Sequence, residues 1–216
     1  MMLRFKPELA ANGTVLCLGA HCDDIEIGCG GALVELRERH PHLRFVWVVF
    51  SGDTLRERET RAAAAALLGE GAHLSVEVQH FRGSYFPYCG ADIKDAFEAV
   101  RQRVSPDLVF THYLADRHQD HRVVAELTWN TFRSHAILEY EIAKYEGDLA
   151  HPGLYCPLST ASVDRKVTTL LQCFASQRNH QWFDADLFRG HLRLRGVECN
   201  SPTGYAEAFH ARKLVL

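Results

Sequence analysis

Two segments of this 216-residue chain are dense in side chains that can bind a metal ion or move a proton. The first, Ala20 to Gly31, has the sequence AHCDDIEIGCGG, with one histidine and three carboxylates within six positions. The second, Thr111 to Arg122, has the sequence THYLADRHQDHR. His118 and His121 are three residues apart, so at the start of a helix they project to the same side.

Each segment alone also has an ordinary interpretation. The first can be a polar turn with a chance His-Asp pair, and the second a capped helix with solvated histidines. Both, however, follow apolar stretches that resemble buried strands, and in a parallel sheet such strand ends meet at one edge. Catalytic zinc commonly takes three ligands of the His, Asp or Glu type and leaves a fourth position for water. Together the segments supply such a set, with acid/base groups left over.

The elements that would position these segments alternate between strand and helix patterns. Strands are predicted at 14–20, 44–51, 75–81 and 107–112, and helices at 31–39, 56–69, 92–104 and 120–133. This alternation predicts an α/β fold, a mostly parallel twisted sheet flanked by helices, Rossmann-like in arrangement. Beyond residue 139 the pattern weakens. Strands at 138–142, 154–158 and 206–213 and helices at 162–175 and 184–194 predict a smaller C-terminal α+β portion. We expect one domain over residues 1–216, with a core of about 1–135 and an extension of about 136–216 packed on it.

Composition limits the possible partners and location. The formal net charge of −3 gives no general electrostatic case for nucleic acid or an anionic membrane. The longest apolar runs fall far short of the roughly 20 residues that span a bilayer, and residues 1–12 do not resemble a signal peptide. We therefore expect a cytoplasmic protein without nucleic-acid or membrane partners. Seven cysteines, an odd number without a Cys-x-x-Cys pair, do not predict a disulfide framework.

The two segments resemble the signature motifs of the LmbE-like, or PIG-L, family of zinc-dependent de-N-acetylases. The first motif of that family is typically Ala-His-Pro-Asp-Asp, followed by acidic and glycine-rich positions, and here it is Ala20 to Asp24 with Cys22 in place of proline. The second is His-x-Asp-His, here His118 to His121, with Arg122 next. The resemblance covers at least residues 14–133, with the motifs in the family's order and separation.

The resemblance implies a role for each motif residue. Metal ligands would be His21, Asp24 and His121, holding Zn²⁺ or another divalent ion, while Asp23 would be the general base, His118 the cationic or acidic partner, and Asp120 the carboxylate that orients His118. It also implies an activity: removal of an N-acetyl or other N-acyl group from an amino-sugar-containing small molecule or conjugate by zinc-activated water. Relatives often assemble, so a homo-oligomer is expected.

Three further residues are candidate substrate contacts. Arg56 lies near the place where the family has a substrate-binding arginine, although a solvated helix face explains it equally. Tyr85, in an aromatic loop, could stack on a sugar ring or simply pack within the loop. Glu141, within the predicted strand at 138–142, or Lys144 just after it could also reach the substrate. His112 is more typical of a hydrogen-bonded core histidine than of a fourth ligand.

Two other functions remain open from the residues alone. One is a non-catalytic metal-binding protein. The other is a nucleotide-binding α/β protein that uses Gly28, Gly30 and Gly31. The spacing of these glycines differs from Gly-x-Gly-x-x-Gly, and no Walker lysine follows them.

Overall fold

The computed structural model describes residues 7–215; residues 1–6, part of the segment considered as a leader, and Leu216 lie outside the described part. Within it, one sheet holds seven strands: β1 (Thr14–Gly19), β2 (Arg44–Val49), β3 (His73–Val78), β4 (Leu108–His112), β5 (Ala136–Tyr140), β6 (Leu154–Pro157) and β7 (Ala206–Ala211). The helices are α1 (Asp24–Arg39), α2 (Thr54–Leu68), α3 (Gly90–Arg103), α4 (Gln119–Thr131), α5 (Thr160–Cys173) and α6 (Ala185–Glu198), with short 3-10 turns at Phe86–Tyr88 and Ala175–Gln177.

The strand order β3-β2-β1-β4-β5-β7-β6 confirms the mostly parallel α/β fold. The first five strands in this order are parallel, and β7 runs antiparallel to both β5 and β6. β1 and β4 are buried along their whole length, as expected for parallel strands covered on both faces. The chain moves outward from β1 to β3 and then returns to place β4 on the other side of β1. Such a reversal opens a crevice at the carboxyl ends of the two strands, where α/β proteins bind ligands.

Side chains of alternate direction on the strands form two apolar layers. Cys17 and Trp47 point into the layer beneath α1, α2 and α5, and Leu18 and Val48 into the layer beneath α3 and α4. The alternation follows from the two-residue repeat of a strand. The sheet is therefore a rigid central layer, and the loops at its carboxyl edge are held from both sides.

The main difference from the predicted elements is the start of α1. The helix was expected from Gly31 but begins at Asp24, so the acidic residues lie in its first turn, where the helix dipole favours them. Gly28, Gly30 and Gly31 all lie inside this helix. A Cβ on Gly28 would be 2.1 Å from a ring atom of Tyr140, and one on Gly31 would be 2.6 Å from Leu158. The glycines are thus needed for close packing. The other predicted elements are present, with shifted ends.

A buried ion pair joins the C-terminal residues to α1. The carboxylate of Glu207 on β7 accepts hydrogen bonds from the backbone amides of Gly31 (2.8 Å) and Ala32 (2.6 Å). Lys166 on α5 contacts the same carboxylate at 2.6 Å and donates to the Ile27 carbonyl at 2.5 Å. Both side chains therefore bind the backbone of α1, the helix that begins within the first motif.

Across residues 7–215, none of the helices combines the length and apolar character that crossing a bilayer requires.

Candidate functional site

The two motifs meet where the fold places a ligand crevice. Motif one leaves the end of β1 and enters α1, and motif two leaves β4 and enters α4. β1 and β4 are hydrogen-bonded neighbours, with Val15 opposite Leu108 and Cys17 opposite Phe110. Residues about 100 positions apart in sequence therefore come into contact.

His21, Asp24 and His121 form the predicted ligand cluster, with their potential ligand atoms within 4.8 Å of one another. Nε2 of His121 is 3.3 Å from Nδ1 of His21 and 3.5 Å from Oδ1 of Asp24. Nδ1 of His21 is 3.4 Å from Oδ2 of Asp24. Two imidazole nitrogens and a carboxylate oxygen are a donor set that suits zinc and other divalent ions. The His21 side chain is 25% exposed, which leaves one side of the cluster accessible to water or substrate.

The second ring nitrogen of each ligand histidine faces a carboxylate. Nε2 of His21 is 3.1 Å from Oδ2 of Asp120, and Nδ1 of His121 is 3.0 Å from Oδ2 of Asp116. Such carboxylates behind metal-binding histidines orient the ring and fix its tautomer. This arrangement supports the fit of the cluster to a metal ion. Two overlapping groups, His21-His118-Asp120 and His112-Asp116-His121, have similar spacing, but they consist of these supporting contacts and neighbouring rings.

The adjacent carboxylates of Asp23 and Asp24 have opposite environments. Burial alone would raise the pKa of Asp24, but the charges of His121, His112 and His21 outweigh it and hold that pKa well below its usual value. Burial raises the pKa of Asp23, although Arg56 acts in the other direction with its Nη2 atom 2.9 Å from Oδ1 of Asp23. Asp24 is thus suited to remain an anionic ligand, and Asp23 to exchange a proton.

His118 lies above the two ligand rings. Its ring centroid is 5.0 Å from that of His21 and 4.5 Å from that of His121. Burial and the charges of His121 and His21 lower the pKa of His118. Its Nδ1 accepts a hydrogen bond from the backbone amide of Asp120 at 3.2 Å. This geometry favours a ring with its proton on Nε2, and of the two forms that the resemblance implied, cationic or acidic partner, it supports the proton donor.

Asp120 differs from its expected position behind His118. Its carboxylate contacts His21 and accepts hydrogen bonds from the backbone amides of Ser84 and Phe86. Asp120 therefore connects His21 to residues Arg82–Tyr88, the aromatic loop. Ser84 has a positive φ of 65°, a conformation uncommon for non-glycine residues, and in this conformation its amide points to Asp120.

The three candidate substrate residues have different surroundings. Arg56 is beside the cluster, in the ion pair with Asp23. Tyr85 is 42% exposed in the aromatic loop, and the Arg82 guanidinium lies 3.6 Å from its ring centroid. Glu141 differs from the expectation because it is buried and engaged elsewhere: its carboxylate contacts Arg195 at 2.7 Å and accepts from the Ala150 amide.

His112 is confirmed as a hydrogen-bonded core histidine. It is fully buried, and its Nε2 accepts from the backbone amide of Ala20 at 3.0 Å. The same nitrogen lies 3.1 Å from Oδ2 of Asp24. Sequence reasoning missed Asp116, although it lies inside the second motif segment. The only available signal was an acidic residue two positions before a motif histidine.

The nucleotide-binding hypothesis conflicts with the packing of α1. The Gly31 amide is already bonded to Glu207, and Tyr140 and Leu158 fill the space beside Gly28 and Gly31. A phosphate would need those amides and that space.

Comparison with known proteins identifies the family. Residues 16–132 match the family model PIG-L, described as GlcNAc-PI de-N-acetylase. The chain belongs to the PIG-L family. This membership confirms the resemblance noted in the two motifs and the amide-hydrolase class that it implied. An Escherichia coli (strain K12) relative, the uncharacterized deacetylase YaiS, is 31% identical over 139 residues, which cover 59% of this chain and 72% of YaiS.

Solved structures share the fold of this PIG-L member. N,N'-diacetylchitobiose deacetylase from Pyrococcus horikoshii is 20% identical with a TM-score of 0.71, covering 93% of this chain and 84% of the deacetylase. GalB, the 4-carboxy-2-hydroxymuconate hydratase of Pseudomonas putida KT2440, is 20% identical with a TM-score of 0.76, covering 94% of this chain and 98% of GalB. At these identities the likeness concerns the fold alone. One of these two proteins is a hydratase, so the shared fold alone does not determine the reaction.

Proposed function

We propose that this PIG-L member removes an N-acetyl or other N-acyl group from an amino-sugar compound, with a zinc ion held by His21, Asp24 and His121. The observation that carries the proposal is the convergence of these three donors at the carboxyl ends of β1 and β4, with one accessible side. Asp23 directly precedes the ligand Asp24 in sequence, and its pKa is raised where that of Asp24 is lowered. The family description and the chitobiose deacetylase relative favour an acetylated amino sugar as the substrate.

Different residues around the cluster would perform different steps of amide hydrolysis. A zinc ion held by these three residues would polarise the amide carbonyl and lower the pKa of a bound water molecule toward about 7. Asp23 accepts the proton of the attacking water, a task that its raised pKa suits. His118 presents Nε2–H to the oxyanion that develops on the carbonyl oxygen. The leaving nitrogen then receives a proton from Asp23 or His118.

The aromatic loop and Arg56 are our proposed substrate contacts. Tyr85 and Tyr88 are exposed on the loop, and Asp120 holds the loop backbone beside the cluster. Exposed rings of this kind stack on the apolar face of sugars. Arg56 can bind a polar group of the substrate at the cost of its contact with Asp23. We also propose that residues 1–216 act as one domain, because β6 and β7 extend the sheet that carries the motifs.

Zinc removal and restoration test the function. We expect purified protein to release free amine from N-acetylglucosamine conjugates, to stop after treatment with a chelator, and to recover when zinc is added at one equivalent. Elemental analysis measures the zinc content in parallel. Protein that holds zinc but releases no amine from any N-acyl sugar would support the non-catalytic metal-binding hypothesis instead. Folded protein that binds no divalent ion would contradict the proposed site.

A further inference from the structure

Asp116 contacts the side of His121 that faces away from the ligand cluster. It is buried, and its Oδ2 atom lies 3.0 Å from Nδ1 of His121. The opposite nitrogen, Nε2, faces Asp24 and His21. The imidazole is therefore held at both nitrogens, by a carboxylate behind it and by the other proposed ligands in front.

This contact selects one tautomer of His121. An ionised carboxylate only accepts hydrogen bonds, so the ring nitrogen facing it carries the proton. A neutral ring protonated at Nδ1 has its free electron pair on Nε2, where a metal ion binds. The ammonium group of Lys144, with its Nζ atom 2.9 Å from Oδ2 of Asp116, favours the ionised form of this carboxylate.

Two further contacts hold the Asp116 carboxylate, and one of them continues to Asp148. Its Oδ1 atom accepts from the backbone amide of His118 at 2.7 Å, and Nζ of Lys144 lies 2.9 Å from Oδ2. Lys144 also contacts both carboxylate oxygens of Asp148 at 2.7 Å. Asp148 in turn accepts from the backbone amide of Arg117 at 2.6 Å. One lysine thus lies between two carboxylates that both bind the loop of the second motif.

Lys144 and Asp148 come from the loop that follows β5, outside the segment matched by the family model. The C-terminal part of the chain therefore contacts the loop from which His118 and His121 project. Neither residue touches the proposed ligands directly. Their effect on the metal would pass through Asp116 and, for Asp148, also through the backbone of Arg117.

We propose that Asp116 is a positioning residue that holds His121 in its Nδ1-protonated tautomer and thereby sets the metal affinity, and that Lys144 and Asp148 hold Asp116 in place. This inference rests on the metal site proposed above. Removing such a supporting carboxylate typically weakens metal binding about 10- to 100-fold. Lys144→Met, which acts one contact further away, should weaken it less.

Zinc affinity and the tautomer of His121 can be measured separately. We expect Asp116→Ala to weaken zinc binding about 10- to 100-fold in competition with a chromophoric chelator, and Asp116→Asn, which keeps an acceptor, to weaken it less. In metal-free protein at a pH high enough to keep the His121 ring neutral, ¹⁵N NMR of the imidazole nitrogens should show Nδ1-protonated His121 in the wild type and a tautomer mixture in Asp116→Ala. Asp164→Ala is the matched control, because Asp164 forms an exposed pair with Arg189.

The outcomes separate this inference from the proposed function. Unchanged affinity and an unchanged tautomer in Asp116→Ala would overturn the role of Asp116. Complete loss of zinc from both Asp116 variants, with wild-type binding intact, would make Asp116 a ligand and overturn a positioning role. A wild type that binds no zinc would overturn the metal site, while the NMR measurement would still decide whether Asp116 sets the tautomer. Thermal unfolding of each variant identifies any that fail to fold.

Discussion

Consecutive aspartates in the first motif show how strongly single residues depend on their immediate surroundings. Asp24 faces three imidazoles, and Asp23 faces the Arg56 guanidinium. Burial acts on both carboxyl groups, yet the pKa of Asp24 is lowered and that of Asp23 is raised. Neighbouring carboxyl groups with separated pKa values are typical of sites where one is a fixed anion and the other an acid or base.

Asp23→Asn tests this division of roles. We expect the variant to keep the zinc content of the wild type, because the amide removes a proton acceptor and none of the three donors. Its kcat for amine release should fall about 10²- to 10⁴-fold, the usual contribution of a general base. Elemental analysis and an amine-release assay measure the two quantities on the same sample. If zinc and activity disappear together, Asp23 is a ligand. The exposed Asp164→Asn variant should change neither.

Residue identities at the site were more predictable than their contacts. The two motif segments indicated a metal site, the family resemblance implied His21, Asp24 and His121 as its ligands, and the structure brings these three residues together. The partner of Asp120 was not predictable, because its carboxylate is placed by backbone amides of the aromatic loop, more than 30 positions away in sequence. The partners of Glu141 were not predictable for a similar reason, since they come from the C-terminal elements.

At the scale of elements, the strands were predictable from the sequence, whereas the start of α1 was not. Buried parallel strands are recognisable as continuous apolar runs, so the edge that carries the motifs could be inferred. Three glycines within residues 28–31 resemble a turn when only local preferences are considered. Their actual role is to admit the Tyr140 ring and the Leu158 side chain against α1. Packing between distant elements overrode the local preference.

Gly28→Ala tests the packing of α1 on β5. The added methyl group would overlap the fully buried ring of Tyr140, whose hydroxyl donates to the Leu18 carbonyl. We expect the free energy of unfolding to fall by about 1–3 kcal/mol, as for other overpacked cores. Urea denaturation measures it. Gly190→Ala is the control, because Gly190 is an exposed α6 residue whose added Cβ would have no heavy atom within 4 Å among residues 7–215, apart from the adjacent residues and the backbone of α6 itself. Because alanine has a better helix propensity than glycine, Gly190→Ala should raise the free energy of unfolding by up to about 1 kcal/mol. If Gly190→Ala instead lowered the free energy of unfolding as much as Gly28→Ala, the packing explanation would be contradicted.

At the scale of the whole molecule, charged residues connect the C-terminal elements to the motif-bearing core. Glu207 and Lys166 reach into α1, and Lys144 reaches the loop of the second motif. Sequence patterns predicted an extension packed on the core, but not that two of its strands would continue the sheet, with β7 antiparallel to both β5 and β6. Short strands of mixed polarity contain no local signal for the partner or the direction of pairing.

The charge cluster around Glu141 predicts a stability that depends on pH. Burial would raise the pKa of Glu141, but hydrogen bonds from His191, His210 and the Ala150 amide, with the charge of Arg195, hold that pKa below its usual value. A carboxyl group with a lowered pKa stabilises the folded state above its unfolded pKa of about 4.3, and this contribution is lost as the pH falls below that value. We therefore expect Glu141→Gln to lower the free energy of unfolding by about 1.5–3 kcal/mol at pH 7, the range for hydrogen bonds to charged groups. The difference from the wild type should persist down to about pH 5 and narrow toward pH 3. Denaturant titrations at a series of pH values measure the difference, with the exposed Glu126→Gln variant as the control. A difference that stays constant across this pH range would show that shape, and not the charge of Glu141, holds the C-terminal elements on the core.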